Sequence, residues 1–297
     1  VTSADLMEQL HAQVPELLTS NFLIEPQPRG TAAVVALAAA TILERDPNGV
    51  LAVLTADHLM PDKAEFQACL QAAAELAEQG YIVTMGIKPA SPATGYGYIE
   101  RGAELGVYSG RVGYEVLKFI EKPHQSKANE LIKQERYSWN SGMFICQAQV
   151  VLGEFERYMP ELYTVIQSLQ PFLASDHLAA PFAVKWLKIQ PETIDYGIME
   201  KTSLAAVLPL STLEWIDVGS WDSFFEVFKP DENGNIILGV KYEGIDTADS
   251  LILSTDTERP VVTMGMKNMI VIQAPDVLMI CPRGESQRVK ELVNYLK

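Results

Sequence analysis

The sequence predicts an α/β protein in which a Rossmann-like, doubly wound mixed sheet is followed by a small all-β domain. Three observations support this fold class. Apolar strand-like runs alternate with helical repeats in the N-terminal part, as in βαβ units. The run from Val50 to Val53 is apolar throughout, as in strands that are covered on both faces. From about Lys229 onward, helical periodicity gives way to short β runs.

The first helices and strands follow one another along the chain. A helix is predicted after Ser3, a short strand over NFLIEP, and an Ala-rich helix, which must be buried, after Gly30-Thr31. The strand GVLAVLTAD, the helix DKAEFQACLQAAAELAEQG and the strand YIVTMGIKP come next. This alternation is typical of parallel strands, whose carboxyl ends bind ligands, so we expect a site where GVLAVLTAD ends.

The middle of the chain is less regular. GYGYIERG and VLKFIEKP predict paired strands, and NSGMFICQAQVVLGEFERYMPEL predicts a strand followed by a helix. DYGIMEKTS predicts a short helix, AVLPL a strand, and EWIDVGSWDSFFEVF a strand, a turn and a helix. We therefore expect a core domain over residues 1–229. Residues 230–297 are expected to form a short β-helix-like domain that closes with a terminal helix.

Composition excludes several classes of function. The 297 residues carry a net charge of −15 and a sequence pI of about 4.7, so the surface repels nucleic acids and anionic membranes. The longest apolar run is too short to span a bilayer, and no signal peptide is visible. Three cysteines without a CxxC pair indicate buried, reduced thiols and a cytoplasmic protein.

Two aspartates end apolar strands in similar ways, Asp57 in VLTADH and Asp217 in EWIDVGSW. A carboxylate at a strand end is a natural ligand for Mg²⁺, which takes one or two carboxylates and leaves its other positions to phosphates and water. The alternative for each aspartate is a helix N-cap, a position that Asp favours.

Other polar residues follow apolar runs or open helices. In FIEKP, Glu121 could accept sugar hydroxyls and Lys122 could bind a phosphate, provided that a bend at Pro123 lets them converge; the alternative is a solvated strand end. In WNSGMF, Asn140 stands beside small residues that allow a ligand to approach the backbone. In EPQPRGTAA, Glu25 and Arg29 precede a helix N-terminus, which attracts anions.

Each signal is weak alone, but their order is specific. EPxxRGTAA, LTADH, GYGYI, FIEKP, WNSGMF, DYGIMEK and WIDVGSW, in succession, resemble the sugar-1-phosphate nucleotidyltransferases, most closely their mannose-1-phosphate guanylyltransferase branch. The resemblance runs from about Phe22 to Val227, and the β-rich tail resembles that family's short left-handed β-helix. It implies that GTP and mannose-1-phosphate are the substrates, that Mg²⁺ is the cofactor, and that GDP-mannose and pyrophosphate are the products.

The resemblance also implies a role for individual residues. The catalytic residues would be Asp57, Lys122 and Asp217, with Asp57 and Asp217 holding the metal. The nucleotide would be bound by Glu25, Arg29, Gly30 and Thr31, and the sugar by Gly95, Glu121, Asn140 and Asp195. Glu25 suits guanine, because one carboxylate can accept both the N1–H and the 2-amino group. The residues around DYGIMEK could equally be a helix start with solvated charges.

One family element is not found. The family's glycine-rich loop, which wraps the nucleotide phosphates, has no counterpart here. We expect that roughly the first sixty residues of a family member would precede Val1, an estimate from the usual layout of such a domain. If the loop is truly absent, the chain should turn over weakly or not at all.

Two other functions remain open. One is a nucleotidyltransferase for another pair, such as glucose-1-phosphate with UTP or dTTP, whose bases suit the carboxylate of Glu25 poorly. The other is a non-catalytic, regulatory protein that binds a nucleotide sugar. Independently of the function, the β-rich tail has open strand edges that are normally covered, which predicts a homodimer.

Overall fold

The computed structural model describes residues 1–173, 180–210, 213–256 and 258–296. The contacts divide the chain into two compact units. The first, here called the α/β unit, contains Val1–Thr55 and Lys63–Leu213, and the second, the β unit, contains Ala56–Asp62 and Glu214–Lys297. The division therefore falls earlier than the boundary expected at residue 229. The β unit also includes a short piece from the N-terminal half, because that piece pairs with a strand around Ile216.

The helices and strands are numbered along the whole chain. The helices are α1 (Ala4–Gln13), α2 (Thr31–Arg45), α3 (Lys63–Ala77), α4 (Gln125–Leu131), α5 (Ala148–Tyr158), α6 (Pro160–Leu173), α7 (Ala180–Trp186), α8 (Phe224–Val227) and α9 (Val289–Leu296). The strands are β1 (Val50–Val53), β2 (His58–Leu59), β3 (Ile82–Ile87), β4 (Tyr98–Tyr108), β5 (Arg111–Ile120), β6 (Tyr137–Gln147), β7 (Ala205–Leu210), β8 (Ile216–Asp217), β9 (Ile236–Leu238), β10 (Tyr242–Ile245), β11 (Leu251–Ser254), β12 (Val261–Met264), β13 (Met269–Gln273) and β14 (Leu278–Pro282).

The α/β unit is built on a mixed sheet with the strand order β1-β6-β3-β7-β5-β4. β3 and β7 are parallel, whereas the other neighbours in this order are antiparallel. The expected mixed sheet is confirmed. The expectation that successive strands would pair in parallel is wrong for β1 and β3, because β6 lies between them and runs the opposite way. β4 and β5 form the predicted hairpin.

The core of this unit follows from the apolar patterns. β3 is buried at every position, and α2 is buried along most of its length, as its Ala-rich sequence predicts. Small side chains let α2 pack closely against α5 and α6. The segment NFLIEP is not the strand that its sequence predicts, because around Ile24 it makes only an isolated bridge to Thr2. A single turn of π-helix, Asp195–Met199, occupies the predicted short helix at DYGIM.

The β unit is a stack of short strands. β9, β11 and β13 form a parallel ladder, β14 closes it in antiparallel fashion, and β10 pairs in parallel with β12. Ile236, Leu251 and Ile270 lie in register across the ladder, so each coil contributes one aliphatic side chain to a common core. This is the expected β-helix-like arrangement. Across the described residues, no helix is both long and apolar enough to cross a membrane.

Candidate active site

Three of the sequence-predicted sugar residues come together in the α/β unit. Asn140 lies in the middle of β6 and is buried. Its amide nitrogen donates to Asp195 Oδ1 at 3.1 Å, and its amide oxygen accepts from the Thr84 hydroxyl at 2.8 Å and from the Gly142 N–H at 3.2 Å. Because both ends of the amide are bonded, Asn140 has one orientation, and it fixes the Asp195 carboxylate with it.

Glu121 and Lys122 converge, but not by the bend expected at Pro123. Lys122 itself has a φ of 43°, in the left-handed region, and the chain bends there just after β5. Its ammonium lies 3.2 Å from Glu121 Oε1, and the side chain of Glu121 is 10% exposed whereas that of Lys122 is 60% exposed. A buried carboxylate therefore stands beside a cation that remains open to solvent.

The two carboxyls of this cluster, Glu121 and Asp195, both have raised pKa values. Burial raises the pKa of Glu121, the nearby Asp195 raises it further, and Lys122 opposes both effects. Burial also raises the pKa of Asp195, although hydrogen bonds from its own backbone and from Asn140 oppose the shift. The second oxygen of Glu121, Oε2, is buried and finds no hydrogen-bond partner among the described residues. A donor from a ligand would satisfy it.

Gly97 is a residue that the sequence interpretation missed. That interpretation selects Gly95, which is exposed and has open space around it. At Gly97 a Cβ atom would lie 2.4 Å from Glu121 Oε2 and 3.3 Å from the Cβ of Asn140. Gly97 also accepts the Asn140 backbone N–H through its carbonyl. Both glycines belong to GYGYI, and only the pairing of strands distinguishes them.

On the predicted nucleotide side, Glu25 is half-buried. Burial raises the pKa of Glu25, and a hydrogen bond from the Arg29 backbone opposes the shift. As at Glu121, the buried Oε2 of Glu25 has no partner among the described residues. The Arg29 guanidinium donates to the Leu187 carbonyl at 3.0 Å, so in this structure it holds the loop against the segment after α7.

Like Arg29, Gly30 and Thr31 contact a segment that is distant in the sequence. Gly30 has a φ of 82°, and a Cβ there would lie 2.2 Å from the carbonyl oxygen of Glu192. The Thr31 hydroxyl accepts the Ile194 N–H at 3.0 Å, one residue before Asp195. The helix start at Gly30 and Thr31 therefore packs against the segment that carries Asp195 and is hydrogen-bonded to it. The predicted role of Gly30 and Thr31 at the base stays a prediction.

The predicted metal ligands come together in the β unit. β2 and β8 pair so that His58 lies opposite Asp217, and Asp57 precedes His58 directly. One ligand atom from each of Asp57, His58 and Asp217 lies within 4.8 Å of the other two. The Asp57 carbonyl accepts the Val218 N–H at 2.9 Å, which locks the two segments together. Neither aspartate caps a helix, so the N-cap alternative does not apply.

This group suits a hard cation. Two carboxylates leave most positions of an octahedral ion to phosphate and water oxygens, as Mg²⁺ sites do. A Cβ at Gly219 would lie 2.8 Å from Asp217 Oδ1, so the absence of a side chain there keeps that oxygen open. His58 adds a nitrogen to the group. Burial lowers the pKa of His58, and Asp217 and Asp57 oppose this shift.

Trp215 is a second residue that the sequence interpretation missed. Its indole Nε1 donates to His58 Nδ1 at 3.1 Å, and the two rings meet edge to face with centroids 4.9 Å apart. Trp215 precedes Asp217 by two positions in an extended segment, so both side chains point to the face where His58 lies. The period-2 spacing in EWID was the available signal.

Comparisons with known proteins identify the family of this chain. The family model described as nucleotidyl transferase matches residues 2–234, and a model described as a mannose-phosphate isomerase/GMP-like β-helix domain matches residues 241–296. A protein from Vibrio cholerae serotype O1, named a putative mannose-1-phosphate guanylyltransferase, is 37% identical over 94% of this chain and 58% of its own length. A mannose-1-phosphate guanylyltransferase from Klebsiella pneumoniae is 34% identical over 94% of this chain and 59% of its own length.

A solved structure from Thermus thermophilus, described as a mannose-1-phosphate geranyltransferase, superposes with a TM-score of 0.82 at 28% identity. The match covers 99% of this chain and 82% of that one. The chain spans less than two thirds of the length of the curated relatives it matches. Because the first family model covers well over half of the chain, residues and fold agree: the chain belongs to the nucleotidyl transferase family.

Proposed function

We propose that this chain forms GDP-mannose and pyrophosphate from GTP and mannose-1-phosphate with the help of Mg²⁺. The observation that carries the proposal is the 37% identity, over 94% of the chain, to a relative named for that reaction. In the reaction, an oxygen of the sugar phosphate attacks the α-phosphorus of GTP and the bond to pyrophosphate breaks. The protein contributes mainly positioning and charge stabilisation.

The sugar side is assigned to the buried cluster of the α/β unit. Glu121 and Asp195 would accept hydrogen bonds from sugar hydroxyls, and Glu121 Oε2 is a buried acceptor without a partner among the described residues. Asn140 holds Asp195 in place at 3.1 Å. Lys122, exposed beside Glu121, would bind the sugar phosphate as a point charge.

The metal is assigned to Asp57 and Asp217. Both are carboxylates, and one oxygen of each lies within 4.8 Å of the other. Asp217 stands opposite His58 in the β2–β8 pair, and Asp57 directly precedes His58. Bound there, Mg²⁺ would supply charge neutralisation for the reacting phosphates. The role of the chain is to hold two negative oxygens close together in the β unit.

The base is assigned to Glu25. Guanine offers two adjacent donors, and Glu25 has a buried Oε2 without a partner in the described part of the chain. Glu25→Gln should weaken GTP relative to UTP, since an amide can accept only one of the two donors. An unchanged preference for GTP would remove Glu25 from the base site.

The experiment that tests the function measures Mg²⁺-dependent release of pyrophosphate from GTP and mannose-1-phosphate. UTP, dTTP and glucose-1-phosphate serve as competing substrates. Fastest release with GTP and mannose-1-phosphate supports the proposal, and faster release with glucose-1-phosphate and UTP or dTTP contradicts the substrate assignment. Binding of GDP-mannose without metal-dependent turnover would favour the second candidate, a nucleotide-sugar-binding regulatory protein.

The assembly proposed for the molecule is a cytoplasmic homodimer that uses the β unit. Exposed apolar side chains line one groove there, namely those of Val262, Met264, Leu278 and Ile280. Such grooves are usually covered by a partner. Light scattering at micromolar concentration should give a dimer, and Val262→Glu with Leu278→Glu should give a monomer. A wild-type monomer would contradict the proposal.

A further inference from the structure

The environment of His58 decides whether it can bind a metal. His58 lies in the same group as Asp57 and Asp217, so by proximity alone the site offers two carboxylates and one imidazole. A donor set with an imidazole suits zinc-like ions, whereas an all-oxygen set suits Mg²⁺. The protonation of the imidazole therefore determines which cation this group prefers.

The Trp215 hydrogen bond fixes that protonation. An indole N–H can only donate, so His58 Nδ1, at 3.1 Å from it, must be the acceptor and carries no proton. In a neutral imidazole the proton then sits on Nε2. One nitrogen has given its lone pair to Trp215 and the other holds a proton. Neither can bind a metal while this hydrogen bond persists.

The local fold supports a fixed arrangement. His58 and Asp217 are directly opposite in the β2–β8 pair, and Trp215 precedes Asp217 by two positions on the same face. The edge-to-face contact of the two rings, at an interplanar angle of 79°, restrains the imidazole further. Rotation of the imidazole toward a cation would break both contacts.

We propose that Trp215 holds His58 as the Nε2–H tautomer, which removes its imidazole from the metal's ligands and makes the site selective for a hard cation such as Mg²⁺ over Zn²⁺. This inference rests on the proposed metal role of Asp57 and Asp217. Trp215 is then a positioning residue that acts through His58. Zn²⁺ is disfavoured because the lone pair of His58 Nδ1 accepts the Trp215 N–H and is not available to a metal.

The tautomer is measured directly, without any variant. Long-range ¹H–¹⁵N NMR on the 297-residue chain with ¹⁵N-labelled histidine should show His58 protonated at Nε2 and unprotonated at Nδ1. Trp215→Phe keeps an aromatic ring but removes the N–H, so this signature should be lost. Trp221→Phe is the matched control: its ring packs on Phe224 in the same unit, and it should leave the tautomer unchanged.

Metal binding provides the second readout. Mn²⁺ binding, followed by electron paramagnetic resonance, should be lost in Asp57→Asn and Asp217→Asn and be unchanged in His58→Phe. In Trp215→Phe the affinity for Zn²⁺ relative to Mg²⁺ should rise about tenfold, as for changes in residues that orient ligands. The gain should disappear in the double variant Trp215→Phe/His58→Phe.

The outcomes separate the inference from the proposed function. An Nδ1–H tautomer, or a loss of Mn²⁺ binding in His58→Phe as large as in Asp57→Asn, overturns the inference and leaves the carboxylate site intact. Mn²⁺ binding that is unaffected by Asp57→Asn and Asp217→Asn overturns the proposed metal site, and the selectivity inference with it. In that case an Nε2–H tautomer would still support the hydrogen bond from Trp215.

Discussion

The two carboxylate groups of this chain have opposite surroundings. Glu121 and Asp195, in the α/β unit, are largely buried and are held by Lys122, Asn140 and backbone donors. In the β unit, Asp57 is exposed and Asp217 half-buried, and their carboxylates come within 4.8 Å of one another beside the β2–β8 pair. The first pair is suited to accept hydrogen bonds from uncharged hydroxyls, while the second leaves negative oxygens available to a cation.

The difference between the surroundings of the two carboxylate pairs has a physical cause. A buried carboxylate must be paired or protonated, because desolvation of an isolated charge is costly. The cluster around Asn140 meets much of this requirement with protein groups, although Glu121 Oε2 has no partner among the described residues. The aspartates of the β unit keep solvent contact and need no such partners. Carboxylates therefore have a fixed, buried environment in one unit and a solvent-accessible one in the other, and we expect their functions to differ accordingly.

The largest effect is expected at Asp57 and Asp217, the more exposed of the two carboxylate pairs. Asp57→Asn and Asp217→Asn each remove one negative oxygen donor, and a metal's contribution to charge stabilisation is several kcal/mol. We expect kcat/KM for pyrophosphate release to fall about a hundredfold to a thousandfold, since each 1.36 kcal/mol is a factor of about ten. High Mg²⁺ should restore part of the loss, which a titration of rate against Mg²⁺ would measure.

The control for this prediction is Asp246→Asn. Asp246 is an exposed carboxylate in the same unit with a φ of 52°, a conformation that Asn also adopts. Its replacement should leave both the rate and its Mg²⁺ dependence unchanged. If Asp246→Asn and Asp57→Asn reduce the rate equally, net charge rather than metal binding explains the effect.

The next largest effect is expected at the buried cluster. Asn140→Ala removes the donor to Asp195 and the acceptor for Thr84 and Gly142. Because buried polar groups are left without partners, the free energy of unfolding should fall by about 1–3 kcal/mol. Urea denaturation measures the fall.

Asn129→Ala is the matched control for Asn140→Ala. Asn129 is exposed on α4, and the hydrogen bond that its side chain accepts from Gln125 is long and weak, at 3.5 Å. Its removal should change stability by less than about 0.5 kcal/mol, as for other surface substitutions. Equal losses at both asparagines would mean that the cluster around Asn140 contributes nothing special to stability.

Much of this comparison could be predicted from the sequence, because it depends on local patterns. Asp57 and Asp217 each end an apolar run, a pattern that suits either a cation ligand or a helix N-cap, and the order of the motifs favours the cation ligand. The Ala-rich helix and the β4–β5 hairpin follow from periodicity in the same way. The registers of β2 with β8 and of β6 with its neighbours depend on contacts between distant segments, which no local pattern contains.

The differences between the predicted and the observed site have the same origin. Gly95 and Gly97 are equivalent in GYGYI, and only the pairing of β4 with β6 places Gly97 beside Asn140. The sequence places the bend between Glu121 and Lys122 at Pro123, because proline is the local signal for a turn. The structure bends at Lys122 instead, through a positive φ.

A substitution at Gly97 tests the proposed role of Glu121 in binding the sugar. A Cβ at this position would lie 2.4 Å from Glu121 Oε2, so Gly97→Ala should displace that carboxylate. A displaced Glu121 would lose its proposed hydrogen bond to the sugar, and a hydrogen bond to a charged group contributes about 1.5–3 kcal/mol, so KM for mannose-1-phosphate should rise by about tenfold or more. Gly95→Ala should have a smaller effect, and a larger one would favour the sequence-based choice of Gly95.

Gly153→Ala is the control for added volume alone. Gly153 lies in α5, and nothing stands within 4 Å of its added Cβ. Alanine favours a helix over glycine by about 1 kcal/mol, so stability should rise while KM stays constant. A rise in KM for Gly153→Ala would show that KM reports stability and not the position of Glu121.

The smallest effect expected is a difference in how stability depends on pH. Glu121 has a pKa raised by burial and by Asp195 in the folded state, so between its ordinary pKa of 4.5 and the raised value the folded state holds a proton that the unfolded state has released. Stability therefore falls as pH rises through this window. Glu121→Gln cannot release that proton, so the wild type should lose stability relative to Glu121→Gln as pH rises from 4.5 toward neutrality.

Glu130 provides a control of opposite sign. It is exposed on α4, and the hydrogen bond from Lys127 lowers its pKa, so its contribution is present above its ordinary pKa of 4.5 and is lost as pH falls through the lowered value. Relative to Glu130→Gln, the wild type should therefore lose stability toward acid pH. Urea unfolding of the wild type and both variants across about pH 3 to 7 measures the two slopes. If the slopes have the same sign, burial does not distinguish Glu121 from a surface glutamate, and the contrast between the buried and the open carboxylates fails at this residue.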